Sequence, residues 1–255
     1  MIVNLVSRGY AGGYPARQER VPVPASPSPS GPDSPRRNRV TPMGDIVAIP
    51  LRGAWTGNRG NLHEGTEIVR FHRSALWITC ALRFRDWWHE QWMPRRFTWL
   101  FFHDEAVAFA AGHRPCALCR RLAYLEFQQA WVSGNGGPVP KAWEMNRQLH
   151  AERIIRGTHR RKLHQMGWDV LPDGAFVLAG SGPALVLGDT VVPWTVTGYT
   201  SRQPRPQQGT AEVITPPSTV AALRAGYRPQ IDAQASRADK PPTLPACIHR
   251  SSLRS

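Results

Sequence analysis

The chain has 255 residues, 32 Lys and Arg against 18 Asp and Glu, a formal charge of +14, and 41% apolar residues. That apolar fraction excludes a wholly disordered polymer, no apolar run approaches the ~20 residues of a membrane span, and no basic-then-apolar leader marks a secretory signal. Four cysteines do not make a disulfide scaffold and read instead as thiols or metal ligands in a reducing compartment, so a cytoplasmic location is expected.

Residues 1–43 hold eight prolines, and 22–35 is almost entirely Pro, Ser, Ala, Val and Gly, with little to bury against the entropy of ordering. A disordered leader over 1–43 is predicted. Strand patterning begins near Met43, with short strands expected at 45–51, 67–71, 76–84 and 97–102. In 76–84 the alternation puts Leu76, Ile78, Cys80, Leu82 and Phe84 on one face and Trp77 on the other. Asp104 stands where it can N-cap a short Ala-rich helix that Gly112 ends, with Pro115 beyond. Residues 116–133 predict a helix with Leu118, Leu122 and Leu125 on its apolar stripe, 134–140 a break, and 141–156 a second helix. From Leu171 the pattern is β, with apolar runs at 175–178, 184–187, 191–195 and 212–214 between Gly-rich turns, then a helix over 218–225. Residues 230–255 read as a disordered tail. Ala111-Gly112-His113-Arg114-Pro115 is echoed by Ala225-Gly226-Tyr227-Arg228-Pro229, and both fit a helix end with Gly just past it. The expected class is α+β: a module over 44–145, a basic helical connector over 146–164, and a small β-rich domain over 165–229.

The stretch Arg114-Pro115-Cys116-Ala117-Leu118-Cys119 carries the most chemistry. Two cysteines three apart, on a turn entering a helix, can face one ion, and a helix N-terminus favours thiolate. A redox pair or two core thiols are the alternatives, and a redox pair is expected after a strand in a βαβ pattern. Here the motif follows a helix and a Pro-containing turn.

With Phe101-Phe102, Glu105-Ala106 and Ala110-Ala111-Gly112 ahead of it, this stretch resembles the N-terminal zinc-binding domain of the Ada DNA-repair proteins. Upstream, Trp77-Ile78-Thr79-Cys80 is similar to the hairpin carrying that family's first two cysteines, so the resemblance covers about 65–121. It implies a zinc ion held by Cys80, Cys116 and Cys119, and it makes Cys80 the zinc-bound nucleophile that accepts an alkyl group from a DNA phosphotriester. The family's second cysteine is replaced by Phe84, and the segment from Cys80 to Phe101 is longer and holds Trp87, Trp88, His89 and Trp92. The fourth ligand must then come from elsewhere. His63, in the turn-rich 57–63, is the expected one; His72, His89, His103 and His113 lie near in sequence, and Cys247 lies in the tail.

His103-Asp104-Glu105 followed by Pro115-Cys116-x-x-Cys119 also spells the zinc-deaminase signature, but 106–114 is too short for the helix, strand and turns that separate those motifs. Only three of the 32 basic residues are lysine, and residues 44–229 carry 22 Lys and Arg against 14 Asp and Glu, or +8. Arg114, Arg120, Arg121, Arg160 and Arg161 are the candidate phosphate ligands. The leading expectation is a zinc-binding, DNA-binding protein without established catalysis. The alternatives are an alkyl acceptor acting through Cys80 and an adaptor whose zinc is purely structural.

Overall fold

The computed structural model describes residues 35–237 apart from Trp88 and Ser181. Strand β1 (Arg37–Val40) turns through Gly44, at φ 91°, into β2 (Ile46–Ala48), and the antiparallel pair buries Val40 and Ile46. Then come β3 (Trp55–Asn58), a ribbon of β4 (His63–Glu64) and β5 (Glu67–Ile68), β6 (Ile78–Cys80) and β7 (Leu100–Phe102). Helix α1 (Glu105–Ala110) follows, and the chain re-enters the sheet at β8 (Arg114–Pro115). The sheet order is β2-β1-β7-β3-β6-β8, with β1–β7 and β6–β8 parallel and the other pairs antiparallel. Gly57 is required in β3 by close approach: a Cβ there would stand 2.1 Å from the Ile78 carbonyl oxygen.

Helices α2 (Arg121–Asn135) and α3 (Ala142–Arg153) lead into β9 (His164–Gly167). The antiparallel second sheet is completed by β10 (Phe176–Ala179), β11 (Gly182–Leu187), β12 (Thr190–Thr195), β13 (Gly198–Tyr199), β14 (Gln203–Pro204) and β15 (Thr210–Val213). Helix α4 (Pro217–Arg224) starts on Pro217, where a missing N–H costs nothing, and packs on α2; the short α5 (Gln234–Arg237) ends the described chain. The class is α+β, as expected.

Helix α1 is the hub. Asp104 caps it through Oδ1, which accepts from the Val107 N–H at 2.8 Å. All six of its residues are buried, because its alanines let both sheets approach closely. Ala108 packs with the first sheet's Val40, Leu100 and Phe102; Ala106, Val107 and Ala110 pack with Phe176, Leu185 and Val192 of the second. Phe109 joins Phe127, Trp131, Met145 and Leu149 to Val177, Val186 and Val213. One continuous packing therefore crosses residue 165, where the sequence suggests a boundary between two domains. The echoed motifs are matching helix ends: Gly112 (φ 84°) and Gly226 (φ 111°) are followed by N–H groups of His113 and Tyr227 that reach back to the Ala108 and Ala222 carbonyls.

Three expectations are corrected. The leader predicted over 1–43 ends too late, since β1 sits inside the first sheet with Asn38 and Val40 buried; residues 1–34 lie outside the described chain. The tail predicted from 230 begins too early, because the N–H groups of Gln230 and Asp232 donate to the buried Glu105 and Asp104 carboxylates; residues 238–255 lie outside the described chain. The apolar stripe assigned to α2 is wrong. Leu118, Leu122 and Leu125 are exposed, and the buried face is Tyr124, Phe127, Ala130 and Trp131, its three aromatic rings offering more apolar area to bury than the leucines do. Likewise Trp77, just before β6, and Thr79 within it are buried, and Leu82 is exposed.

Candidate metal centre

The parallel pairing of β6 with β8 sets Thr79 against Pro115, and the Cys116 N–H continues the ladder to the Thr79 carbonyl at 2.9 Å. Cys80 and Cys116 thus leave adjacent strands side by side. The chain then turns tightly through 117–120, closed by the Arg120 N–H on the Cys116 carbonyl at 3.2 Å, which folds Cys119 back over the pair. The three Sγ atoms lie within 4.8 Å of one another, and all three thiols are free. They are the group among the described residues that can hold a metal ion.

Backbone amides reinforce the sulfurs. The Leu118 N–H points at Cys116 Sγ at 3.4 Å. Hydrogen bonds from Cys119 and Cys80, then the N–H groups of Cys119 and Leu118, pull the Cys116 thiol far below its usual range. Hydrogen bonding to Cys116 and Cys119, then burial, push Cys80 up, and the bond to Cys116 pushes Cys119 up to about 11. A cation placed among them would take the place of the protons that Cys80 and Cys119 keep, since coordinated thiols are deprotonated.

The arginines flanking the motif are built into it. Arg120 donates to Thr79 Oγ1 and to Glu105 Oε1, both at 2.6 Å, with its guanidinium 3.8 Å from the centre of the Trp55 ring. Arg114 donates to Asn146 Oδ1 and to the Pro115 carbonyl, both at 2.8 Å. Arg161 is spent on the Ala110 and Ile214 carbonyls. Arg114, Arg120 and Arg161 therefore do not offer free guanidiniums to a phosphate, whereas Arg121 and Arg160 are exposed. Arg95 and Arg96, which the sequence already sets among the arginines flanking the cysteines, and Arg83 and Arg85, which it does not single out, are all exposed in the segment that follows Cys80.

His63 does not join the cysteines. It is buried, with Nδ1 2.6 Å from Thr98 Oγ1, Nε2 3.3 Å from the Met93 carbonyl, and its ring edge-on to Trp92. Its turn-rich segment packs on 93–98 rather than on the metal site. His72, His89, His103 and His113 stay outside the group as well, and Cys247 lies outside the described residues. The deaminase-like letters are structural: Glu105 accepts from Arg120, from the Tyr227 hydroxyl at 2.9 Å and from the Gln230 N–H, while His103 Nδ1 accepts from the Trp194 indole.

No helix among the described residues is long and apolar enough to cross a membrane. No family model, curated protein or solved structure matches this chain, so the chemistry of its site rests on the three converging cysteines.

Proposed function

We propose that this chain is a zinc protein that binds nucleic acid, with duplex DNA as the expected partner. The observation that carries the metal assignment is the convergence of Cys80, Cys116 and Cys119 from three points of the backbone. Zinc–thiolate bonds of about 2.3 Å in a tetrahedral shell put sulfurs about 3.8 Å apart, and three sulfurs that all lie within 4.8 Å of one another are close to that arrangement. Bound there, zinc would supply a structural cross-link between β6, β8 and the start of α2. That cross-link would fix the root of the segment carrying Arg83, Arg85, Arg95 and Arg96, and Trp87 in the same segment is 51% exposed, a face on which a base can stack. The net charge of +14 supports a polyanionic partner.

Metal analysis of the purified protein should find one zinc per chain, and Cys80→Ser should lower the content. Binding of a short duplex should weaken with salt, and Arg83→Ala with Arg85→Ala should flatten the salt slope by about one for each phosphate no longer neutralised. Protein without metal, or metal retained by a Cys116→Ser/Cys119→Ser double variant, would overturn the zinc assignment. Absence of duplex binding at low salt would overturn the nucleic-acid assignment and leave a structural adaptor.

One observation favours alkyl acceptance at Cys80: among the described residues three thiols and no fourth side chain form the group, and open coordination distinguishes reactive zinc sites from closed structural ones. In that reading Cys80, its proton given up to solvent when a metal is bound, would attack the methyl carbon of a phosphotriester as the thiolate: the S–C bond forms, the C–O bond breaks, and the phosphodiester anion leaves. Mass spectrometry after incubation with methylphosphotriester DNA would place one methyl on Cys80 and none on Cys116 or Cys119; an unmodified Cys80 would exclude it.

A further inference from the structure

A second cluster of functional groups lies apart from the cysteines. Arg59 and Arg153 are both 0% exposed. Trp77, also buried, carries them both: the Arg59 and Arg153 guanidinium carbons stand 4.0 and 3.8 Å from its ring centre. Phe71 takes the Arg59 guanidinium at 4.7 Å. Arg161 belongs to the same group, its charge acting on both Arg59 and Arg153.

The donors of these arginines are unevenly used. Arg153 gives its Nη atoms to the Gly112 and Ala75 carbonyls and to His150 Nδ1. Arg161 gives Nη2 to the Ala110 and Ile214 carbonyls. Among the described residues Arg59 makes a single hydrogen bond, from Nε to His113 Nε2 at 3.3 Å, and both of its Nη nitrogens are buried with no hydrogen-bond partner there, as are the Nε atoms of Arg153 and Arg161. No ion pair within the described residues involves any of the three, and the acid whose field reaches Arg59 is Asp45, exposed in the β1–β2 turn.

The histidines around Trp77 add no compensation. Burial first, then the neighbouring arginines, lowers His72 to about 4 and His113 well below its ordinary value; His150 falls to about 3. Arg59 and Arg161, lowered by burial to about 9, remain charged at neutral pH. Cations buried without a counter-charge are strongly unfavourable, and cation–π contacts with Trp77 and Phe71 offset only part of that. A guanidinium with both Nη donors free presents the planar fork that pairs with two oxygens of one oxyanion.

We propose that Arg59, backed by Arg153 and Arg161, binds a small oxyanion of the phosphate or sulfate type inside the fold. Arg59 supplies the bidentate fork, and Arg153 and Arg161 supply the surrounding positive charge. The complete burial of Arg59 selects a free ion, taken up on folding or local opening, over a phosphodiester held in a strand.

The test uses the full chain in a zwitterionic buffer at constant ionic strength, titrated with inorganic phosphate and followed by calorimetry, phosphorus NMR and melting temperature. One phosphate per chain is expected, displaced by sulfate, with a melting temperature that rises with phosphate concentration as linkage requires. Arg59→Met keeps the stem and removes the fork, and should weaken phosphate about tenfold or more; Arg224→Met, at an exposed position of α4, should bind it unchanged. If Arg59→Met does not fold, the wild-type titration decides alone. No saturable phosphate or sulfate binding, or equal binding by Arg59→Met, overturns the proposal. Displacement of the phosphate by excess short duplex DNA would assign the fork to strand phosphates and overturn the free-ion assignment.

Discussion

At the scale of single residues, burial separates arginines that the sequence makes look alike. Arg120 and Arg121 are neighbours, yet Arg120 pairs with Glu105 inside the fold, the two side chains 4% and 1% exposed, while Arg121 faces solvent. Arg120→Met should cost about 3–5 kcal/mol in a urea unfolding experiment, because it strands the Glu105 carboxylate. Arg121→Ala should stay within about 0.5 kcal/mol. An equal loss for both would show that the Glu105 pair does not hold. The histidines set a pH dependence. His72 and His150 titrate near 4 and 3 in the folded chain against about 6.5 in an unfolded one, so unfolding takes up protons below pH 6.5. Stability from this source is intact above pH 6.5 and falls as the pH drops toward 4. His72→Phe should flatten that part of a plot of melting temperature against pH; an unchanged slope would show that His72 is not held neutral. The metal-site cysteines were legible at this scale, since a turn entering a helix dictates where Cys116 and Cys119 stand. That His63 stays away from them was not, because its place depends on Thr98 and Met93, far along the chain.

At the scale of elements, two glycines mark where backbones touch: Gly57 in β3, against Ile78, and Gly134 in α2. At a helical position such as Gly134, Ala would ordinarily favour the helix by about 1 kcal/mol. Its Cβ would stand 2.2 Å from the Ala221 carbonyl oxygen of α4, so the two helices would have to separate. Gly134→Ala should therefore destabilise, by about 1–3 kcal/mol, and a raised melting temperature would show that α4 yields. The capped ends of α1 and the turn chemistry between the second-sheet strands were readable, because each depends on residues within a turn of one another. The buried side of α2 was not. Helical spacing allows both the leucine stripe and the aromatic one, and only the packing of Phe127 and Trp131 against the second sheet and α4 selects between them.

At the scale of the molecule, the two sheets and α1 share their packing, so the metal site and the second sheet should unfold together. Chelation is expected to lower the midpoint of one cooperative transition rather than to release 65–135 alone; two resolved transitions in calorimetry would contradict this. Removing residues 1–42 takes away β1 from between β2 and β7, and should lower the melting temperature by several degrees or abolish folding, with unchanged melting as the contrary result. The sequence alone determined what neighbouring residues decide: the α+β class, the Asp104 cap, the glycine helix ends and the Cys-x-x-Cys turn. Tertiary structure decided what depends on distant partners. It brought Cys80 to Cys116 and Cys119 through a parallel strand pair, drew Arg37–Val40 into a sheet, packed residues from both sides of position 165 into shared apolar clusters, and buried Arg59 and Arg153 against Trp77. Composition reports how much charge a chain carries, but desolvation acts on each charge where it finally stands, and that position is fixed only when the whole chain has packed.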